Sequence, residues 1–306
     1  VNEVRKDYLT NEWVIIAPAR SNRPVSPNAC PFCPTSPEID PSKSVQIVPN
    51  KYPSLTLNAP ILVSDYWRTA HGVSEIIVET LRHDADFAYI PLDEAVKIFE
   101  VALNRLRELA SRPEIEYVHF FRNRGKTLGV SIAHPHSQIY ALPFTPPRLK
   151  QEAKVFQEND ECVLCTQLSL KNFEDRLVYR VGEAHSYVPY APKIPYEFHI
   201  QTVHTESLWY LKPEQLSDTV SVLQTTLRVL DLLLGLDTAY TFAVHNSPKN
   251  SSKFHAHIEV IPFITDRRRV RFSTGLERTT GACVFDGLPE ERAKELRVFL
   301  KEEIKT

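Results

Sequence analysis

Long apolar runs are what this 306-residue chain most plainly lacks. Its most apolar stretch, residues 220–235, is interrupted by Gln224, Arg228 and Asp231, which excludes a spanning helix, and the amino terminus carries no signal-peptide pattern. No membrane partner is expected. A surplus of charge is missing too: the formal net charge is −2, so no global field draws the chain to nucleic acid or an anionic membrane. Any anionic substrate has to be held by local groups. Methionine is absent and glycine is confined to 8 positions against 23 prolines, a balance that fits a thermophile's stiffened loops and shortage of oxidisable side chains. With 42% hydrophobic and 24% charged residues the chain falls among globular proteins, and its length admits one large domain or two fused halves. The expected compartment is cytoplasmic.

Cysteine is scarce as well, at five residues, yet four of them form two pairs of one pattern, Cys30-Pro-Phe-Cys33 and Cys162-Val-Leu-Cys165, with Cys283 left over. Such a pair serves as half of a tetrahedral zinc site or as a redox couple, and two copies in one chain favour zinc. Each pair then needs two further ligands. Histidines recur at a fixed offset: His83 to His204, His134 to His255 and His136 to His257 each span 121 positions, while both cysteines of a pair shift by 132. The chain therefore reads as a duplication, residues 1–147 and 148–306. The expected ligand sets are Cys30, Cys33, His83 and His134 in the first half and Cys162, Cys165, His204 and His255 in the second, for one or two zinc ions. The plainer alternative leaves reduced, part-buried thiols and strand-end histidines.

Periodicity supplies the elements. In the first half residues 74–80 read as a strand before His83, residues 93–110 carry apolar side chains at helical spacing behind Pro91, and residues 115–121 and 136–142 are the next strands. The second half repeats the order with strands at 196–203, 239–245 and 254–263 around a long amphipathic helix at 213–234. A proline-rich join at 143–147 leads into a helix at 148–159, and a last helix closes the chain at 289–304. The class is α+β with two tandem repeats.

The chemistry concentrates in Gly129-Val130-Ser131-Ile132-Ala133-His134-Pro135-His136-Ser137-Gln138. Two histidines one residue apart on an extended strand point to one face and can share a site. One can hold a metal or phosphate while the other offers a nucleophilic nitrogen, partly neutral near pH 7. The duplication separates them: His134 recurs as His255 at the end of a metal-ligand spacing, which leaves His136 as the nucleophile. In the second half Glu259 stands where Gln138 stands in the first, and a carboxylate there would repel phosphate, so only the first half is expected to react.

At these residues the chain resembles the galactose-1-phosphate uridylyltransferases, a branch of the histidine-triad superfamily that also contains ADP-glucose phosphorylases. The resemblance rests on His134-Pro135-His136-Ser137-Gln138, on Phe121-Arg122-Asn123, on the segment from Trp13 through Arg20 to Pro24, and on Asn50-Lys51-Tyr52-Pro53. It implies two tandem histidine-triad-like repeats whose antiparallel sheet forms a half-barrel with helices packed on it. It also implies that His136 attacks the α-phosphorus of a nucleotide sugar, forms a covalent nucleotidyl-histidine and releases hexose 1-phosphate. The implied partners are UDP-glucose and a second hexose 1-phosphate, exchanged by a ping-pong route, and a homodimer is the family expectation.

By the same resemblance Arg20 and Arg23 hold phosphate oxygens, Asn50 and Asn123 belong to the nucleotide pocket, and Ser131 contacts the phosphates. Paired guanidinium donors suit that task. Gln138 replaces the third histidine of the hydrolases and cannot act as an acid in its neutral form. That fits a sugar phosphate, a weakly basic leaving group that needs charge stabilisation more than protonation, with Gln138 and the backbone amides from Gly129 to Ser131 as donors. Some relatives bind a metal through a glutamate and three histidines, which map onto Glu152, His245, His255 and His257, so iron or zinc there would compete for His255. The segment at 272–283 lacks the glutamine that typical uridylyltransferases place on the sugar, which leaves the hexose open. His71, His119, His185 and His199 show no partner pattern, and the basic run Arg267 to Arg271 reads as a solvated face. The alternatives are an ADP-glucose phosphorylase and, in another class, a non-catalytic zinc-stabilised nucleotide- or nucleic-acid-binding module.

Overall fold

The structure is a computed structural model that describes residues 2–22, 29–130, 132–236, 238–264 and 275–305. In chain order its strands are β1 (Glu3–Lys6), β2 (Trp13–Ile16), β3 (Gln46–Pro49), β4 (Trp67–Thr69), β5 (Val73–Val78), β6 (Tyr117–Arg124), β7 (His136–Leu142), β8 (Leu177–Val181), β9 (Ala184–Tyr187), β10 (Phe198–Gln201), β11 (Ala239–His245) and β12 (His257–Phe263). The helices are α1 (Leu92–Ala110), α2 (Pro147–Glu158), the short α3 (Val163–Gln167) and α4 (Phe173–Arg176), α5 (Pro213–Leu234), α6 (Gly275–Thr280) and α7 (Pro289–Glu303).

Nine strands form one antiparallel sheet in the order β3-β5-β7-β6-β11-β12-β10-β9-β8. Among the described residues it stays open, with β3 and β8 as its edges, and the α+β class expected from the sequence holds. At the centre β6 pairs with β11, Phe120 opposite Val244, Phe121 opposite Ala243 and Arg122 opposite Phe242. Phe121 also faces Gln138 on β7, and Ala243 faces Glu259 on β12. The two-fold axis of the duplication therefore passes through the Phe121–Ala243 pair, and strands before residue 147 lie on one side of it, strands after on the other. A small sheet, β2-β1-β4, stands apart.

One face of the large sheet is the core. Helix α1 follows Pro91, carries Asp93 and Glu94 in its first turn, and buries Ile98, Phe99, Ala102, Leu103 and Leu106. Those positions recur every three or four residues, one stripe of a helix, and the acidic first turn complements the helix dipole. Helix α5, with Pro213 in its first turn, repeats this for the second half and ends at Gly235, whose φ of +111° falls to glycine. Between helices and sheet, Phe99, Phe120 and Phe242 are fully buried with ring centroids 5.4–6.1 Å apart. Burying each such ring contributes ~1.5–3 kcal/mol.

Alternate side chains turn to the opposite face, because residues directly across an antiparallel pair share a side. The register puts His136, Gln138 and Tyr140 there from β7, His119, Phe121 and Asn123 from β6, Thr241, Ala243 and His245 from β11, and His257 and Glu259 from β12. This polar, histidine-rich face is where the functional groups gather. Helix α2 covers its second-half side, with Leu149, Ala153 and Phe156 packed in a smaller core beside Leu142, Phe144 and Phe254.

Candidate functional site

The two histidines of His134-Pro135-His136 do not share one face of a strand, as the sequence pattern led us to expect. Strand β7 begins only at His136, and His134 lies in the preceding turn, where Pro135 O accepts from the backbone N–H of Glu79 at 3.2 Å. A proline interrupts the ladder there because it has no N–H to donate. His134 is fully buried and its Nε2 donates to Thr80 O at 2.7 Å, which aims Nδ1 at the sulfurs of Cys30 (3.6 Å) and Cys33 (3.7 Å). His83 Nδ1 approaches Cys33 Sγ from the other side at 3.3 Å.

The second half repeats the arrangement. His255 Nε2 donates to Thr202 O at 3.1 Å, and its Nδ1 faces Cys162 Sγ at 3.3 Å and Cys165 Sγ at 3.6 Å, with His204 Nδ1 3.5 Å from Cys165 Sγ. In each set the four ligand atoms lie within 4.8 Å of one another. Tetrahedral zinc, with Zn–S of about 2.3 Å and Zn–N of about 2.0–2.1 Å, requires sulfur and nitrogen about 3.6 Å apart. Both sets fit a tetrahedral ion, and the Nε2–H···O=C bonds are the orienting contacts that metal-bound imidazoles use. Burial lowers the pKa of His134, and burial with His204 brings that of His255 to about 4; both shifts favour the neutral imidazole that a metal ion requires. Burial and Cys162 push the Cys165 thiol up to about 11, a penalty that a bound cation would reverse.

His136 turns the other way. Its Nδ1–H donates to His134 O at 2.9 Å, which leaves the lone pair on Nε2. With Gln138 it lines a cavity of about 450 Å³ between the Cys30–Cys33 loop, the 49–52 segment and the sheet. Phe32, from inside the Cys-x-x-Cys pair, stands with its ring 5.4 Å from that of His136; Ile76 and Ile132 complete an apolar wall. Asn50 lies on the polar wall, its Oδ1 accepting from Tyr52 N–H at 3.0 Å; Arg20 does not line the cavity but is tied to this wall by Nη1 donating to Tyr52 O at 2.8 Å. Asn123 shares the sheet face with His136 but bonds across the two-fold axis, accepting from Thr241 Oγ1 at 2.7 Å. Gly129 takes φ +70° with open space where a Cβ would stand, a conformation suited to glycine. Arg23, Ser131 and Arg267 to Arg271 lie outside the described residues, as do 272–274; of the rest of that segment, α6 and the exposed Cys283 are described.

The carboxylate–histidine set differs from the expected one. His255 is not in it: Glu152, His245 and His257 are joined instead by Glu259, so the two second-half sets do not compete for a ligand. His245 Nδ1 lies 2.9 Å from Glu152, and His257 Nε2 is 3.7 Å from Glu259. Arg148 from α2 donates to both carboxylates, to Glu152 Oε1 at 3.0 Å and to Glu259. Burial opposes ionisation of Glu152, but His245 outweighs it and holds the carboxyl at about 2. Burial likewise opposes ionisation of Glu259, and His257 and His245 hold its pKa well below the usual range. Two of the histidines without a partner pattern in the sequence are satisfied in the structure: His199 Nε2 is 3.2 Å from Glu197, and His71 Nε2 3.5 Å from Glu114. Phe32 escaped the sequence reading although it sits between the two cysteines, and Glu259 was read only as the counterpart of Gln138, not as a member of the carboxylate–histidine set.

The first 146 residues match the family model described as galactose-1-phosphate uridyl transferase, N-terminal domain. Galactose-1-phosphate uridylyltransferase of Thermotoga maritima is 32% identical over 96% of this chain and 98% of its own length. ADP-glucose phosphorylase of Arabidopsis thaliana is 27% identical over 96% of this chain and 92% of its own. Among solved structures, a uridylyltransferase superposes with a TM-score of 0.88 at 32% identity, covering 98% of this chain and 99% of that one. The Arabidopsis ADP-glucose phosphorylase with bound ADP-glucose superposes at 0.75 with 26% identity, covering 97% and 98%. By its 32% identity to the Thermotoga enzyme over nearly its whole length, this chain belongs to the galactose-1-phosphate uridylyltransferase family.

Proposed function

We propose that this chain is a nucleotidyltransferase that exchanges UMP between UDP-glucose and galactose 1-phosphate through a covalent uridylyl-histidine at His136. The observation that carries the reading is the bond from His136 Nδ1–H to His134 O, which leaves the Nε2 lone pair on a ring that lines the cavity beside Gln138. Nε2 attacks the α-phosphorus, the P–N bond forms as the bond to the hexose-phosphate oxygen breaks, and hexose 1-phosphate leaves with the electron pair. The acceptor's phosphate oxygen reverses this and frees the histidine. The carboxamide N–H of Gln138 stabilises a non-bridging oxygen, and Arg20, Arg23, Gly129 and Ser131 supply further donors around the phosphates. Asn50, Asn123 and Phe32 hold the nucleoside. Residues 1–147 form the catalytic half and 148–306 the structural half in this reading. Zinc on Cys30, Cys33, His83 and His134 would fix the turn that carries His136, and a second zinc on Cys162, Cys165, His204 and His255 would fix its twin; neither takes part in the transfer.

The test is incubation with UDP-glucose labelled in its uridine, in parallel with adenine-labelled ADP-glucose, without acceptor. Acid-labile label from UDP-glucose, absent in His136→Asn and discharged by galactose 1-phosphate, is the expected result. Label from ADP-glucose alone, discharged by inorganic phosphate, would replace this reading with an ADP-glucose phosphorylase, and no label from either would end the enzyme reading.

A further inference from the structure

Beneath His136, on the helix-covered face of the sheet, lies a buried ion pair that the chemistry above does not use. Arg122 Nε is 3.1 Å from both carboxylate oxygens of Glu79, and Arg122 Nη1 donates to Tyr240 OH at 3.3 Å. Ser137 Oγ–H donates to the same Glu79 carboxylate. Arg122, Glu79 and Ser137 are 4%, 2% and 0% exposed, so the charges have been taken fully out of water.

The second half is an internal control. Val78 pairs with His136 and Gln201 with His257, so Thr202 takes the place of Glu79. Ile77 pairs with Ser137 and Ile200 with Ile258, so Ile258 takes the place of Ser137. Arg122 follows Phe121, and Val244 follows Phe121's counterpart Ala243; Val244 faces Ile258. The twin thus builds the same sheet with Thr202, Val244 and Ile258, all buried and none ionisable. Exchanging a buried ion pair for apolar groups is often neutral or stabilising, so the fold does not call for this one.

What the first half has and the second lacks is a reactive histidine. We infer that Glu79, Arg122 and Ser137 form a clamp that positions His136 for attack. This rests on the assignment of His136 as the nucleophile. The connections are direct: Glu79 holds the Ser137 hydroxyl through its carboxylate and Pro135 O through its N–H, the two residues that flank His136. Thr80, next to Glu79, accepts from His134 Nε2, and His134 O in turn accepts from His136 Nδ1. Arg122 Nε–H is shared between the two carboxylate oxygens and, with its charge, restrains the carboxylate. The three are positioning residues: they reach the nucleophile through its neighbours and through His134.

Single-turnover labelling with uridine-labelled UDP-glucose tests this, alongside donor KM, thermal midpoint and metal content. Ser137→Ala is expected to slow labelling about tenfold or more, with donor KM and metal content unchanged, and Ser137→Thr to restore the rate. Glu79→Gln/Arg122→Met removes both charges and is expected to keep the thermal midpoint within a few degrees while labelling falls about 100-fold. If Ser137→Ala labels at the wild-type rate, the clamp is structural only and the inference fails; Ser137→Ala decides even if the double variant does not fold. Absence of label in the wild type removes the nucleophile assignment itself, an outcome distinct from unaltered labelling in the variants.

Discussion

His136 Nδ1 lies 2.9 Å from His134 O, and its counterpart His257 Nδ1 lies 3.0 Å from His255 O. Both imidazoles donate Nδ1–H to the carbonyl of the buried histidine of a cysteine–histidine set. Ring orientation therefore does not separate a reactive half from an inert one. In the proposed reading the residue two positions on does, a neutral carboxamide donor in one and a carboxylate bonded to Arg148 in the other.

Gln138→Glu is expected to lower the labelling rate by about 100-fold or more, because it exchanges an oxyanion donor for a charge that repels the phosphate. Glu259→Gln should not make His257 reactive, since α2 still covers it. Uridine label on a peptide containing His257 in that variant would contradict the account.

His134 and His136 should separate in metal analysis. His134→Asn is expected to lose about one metal per chain together with covalent labelling, whereas His136→Asn keeps the metal and loses only the label. Mass-spectrometric metal content of the two purified variants distinguishes them. Cys165→Ser is expected to lose the second-half ion and lower the thermal midpoint by several degrees, with labelling within about threefold of wild type, because that set lies across the two-fold axis from His136.

Phe32→Leu should raise donor KM about tenfold with metal content unchanged, since stacking of a base on an aromatic ring is worth ~1–3 kcal/mol and leucine keeps most of the packing. Steady-state kinetics with UDP-glucose read this directly. An unchanged KM would take Phe32 out of the nucleoside pocket.

Acid should destabilise the chain through Glu152. Its folded pKa of about 2 lies below the unfolded value of about 4.3, so its contribution is complete above that value and is lost as pH falls towards 2. The full difference is on the order of 3 kcal/mol. Thermal midpoints of wild type and Glu152→Gln, compared between pH 6 and 2.5, are expected to converge as pH drops; a constant gap would refute the linkage.

Much of this was legible in the chain. The helix 213–234 and the strands 136–142 and 239–245 coincide with α5, β7 and β11, because long amphipathic periods and proline boundaries are local signals. The strand predicted at 254–263 begins instead at His257, since Ala256 N–H is drawn to Thr205 O and Phe254 to the core around α2. The short strands β1, β2, β3, β4, β8 and β9 were missed for the same physical reason: four or so residues carry too little pattern of their own and are strands only by pairing. Both Cys2His2 sets were legible from spacing because the duplication repeats one pattern, once in each half.

The sequence by itself determined the duplication, the two cysteine–histidine sets and the asymmetry of Gln138 and Glu259, all of which are matters of residue type and interval. Tertiary structure alone decided that His134 and His136 face different ways, that Glu259 rather than His255 joins Glu152, and that Arg122 meets Glu79 under Ser137. Those contacts join residues 43 to 111 positions apart in the hydrogen-bonded pairs of Arg122 and Arg148. They depend on strand register, which hydrophobic burial over the whole sheet sets and no single segment encodes.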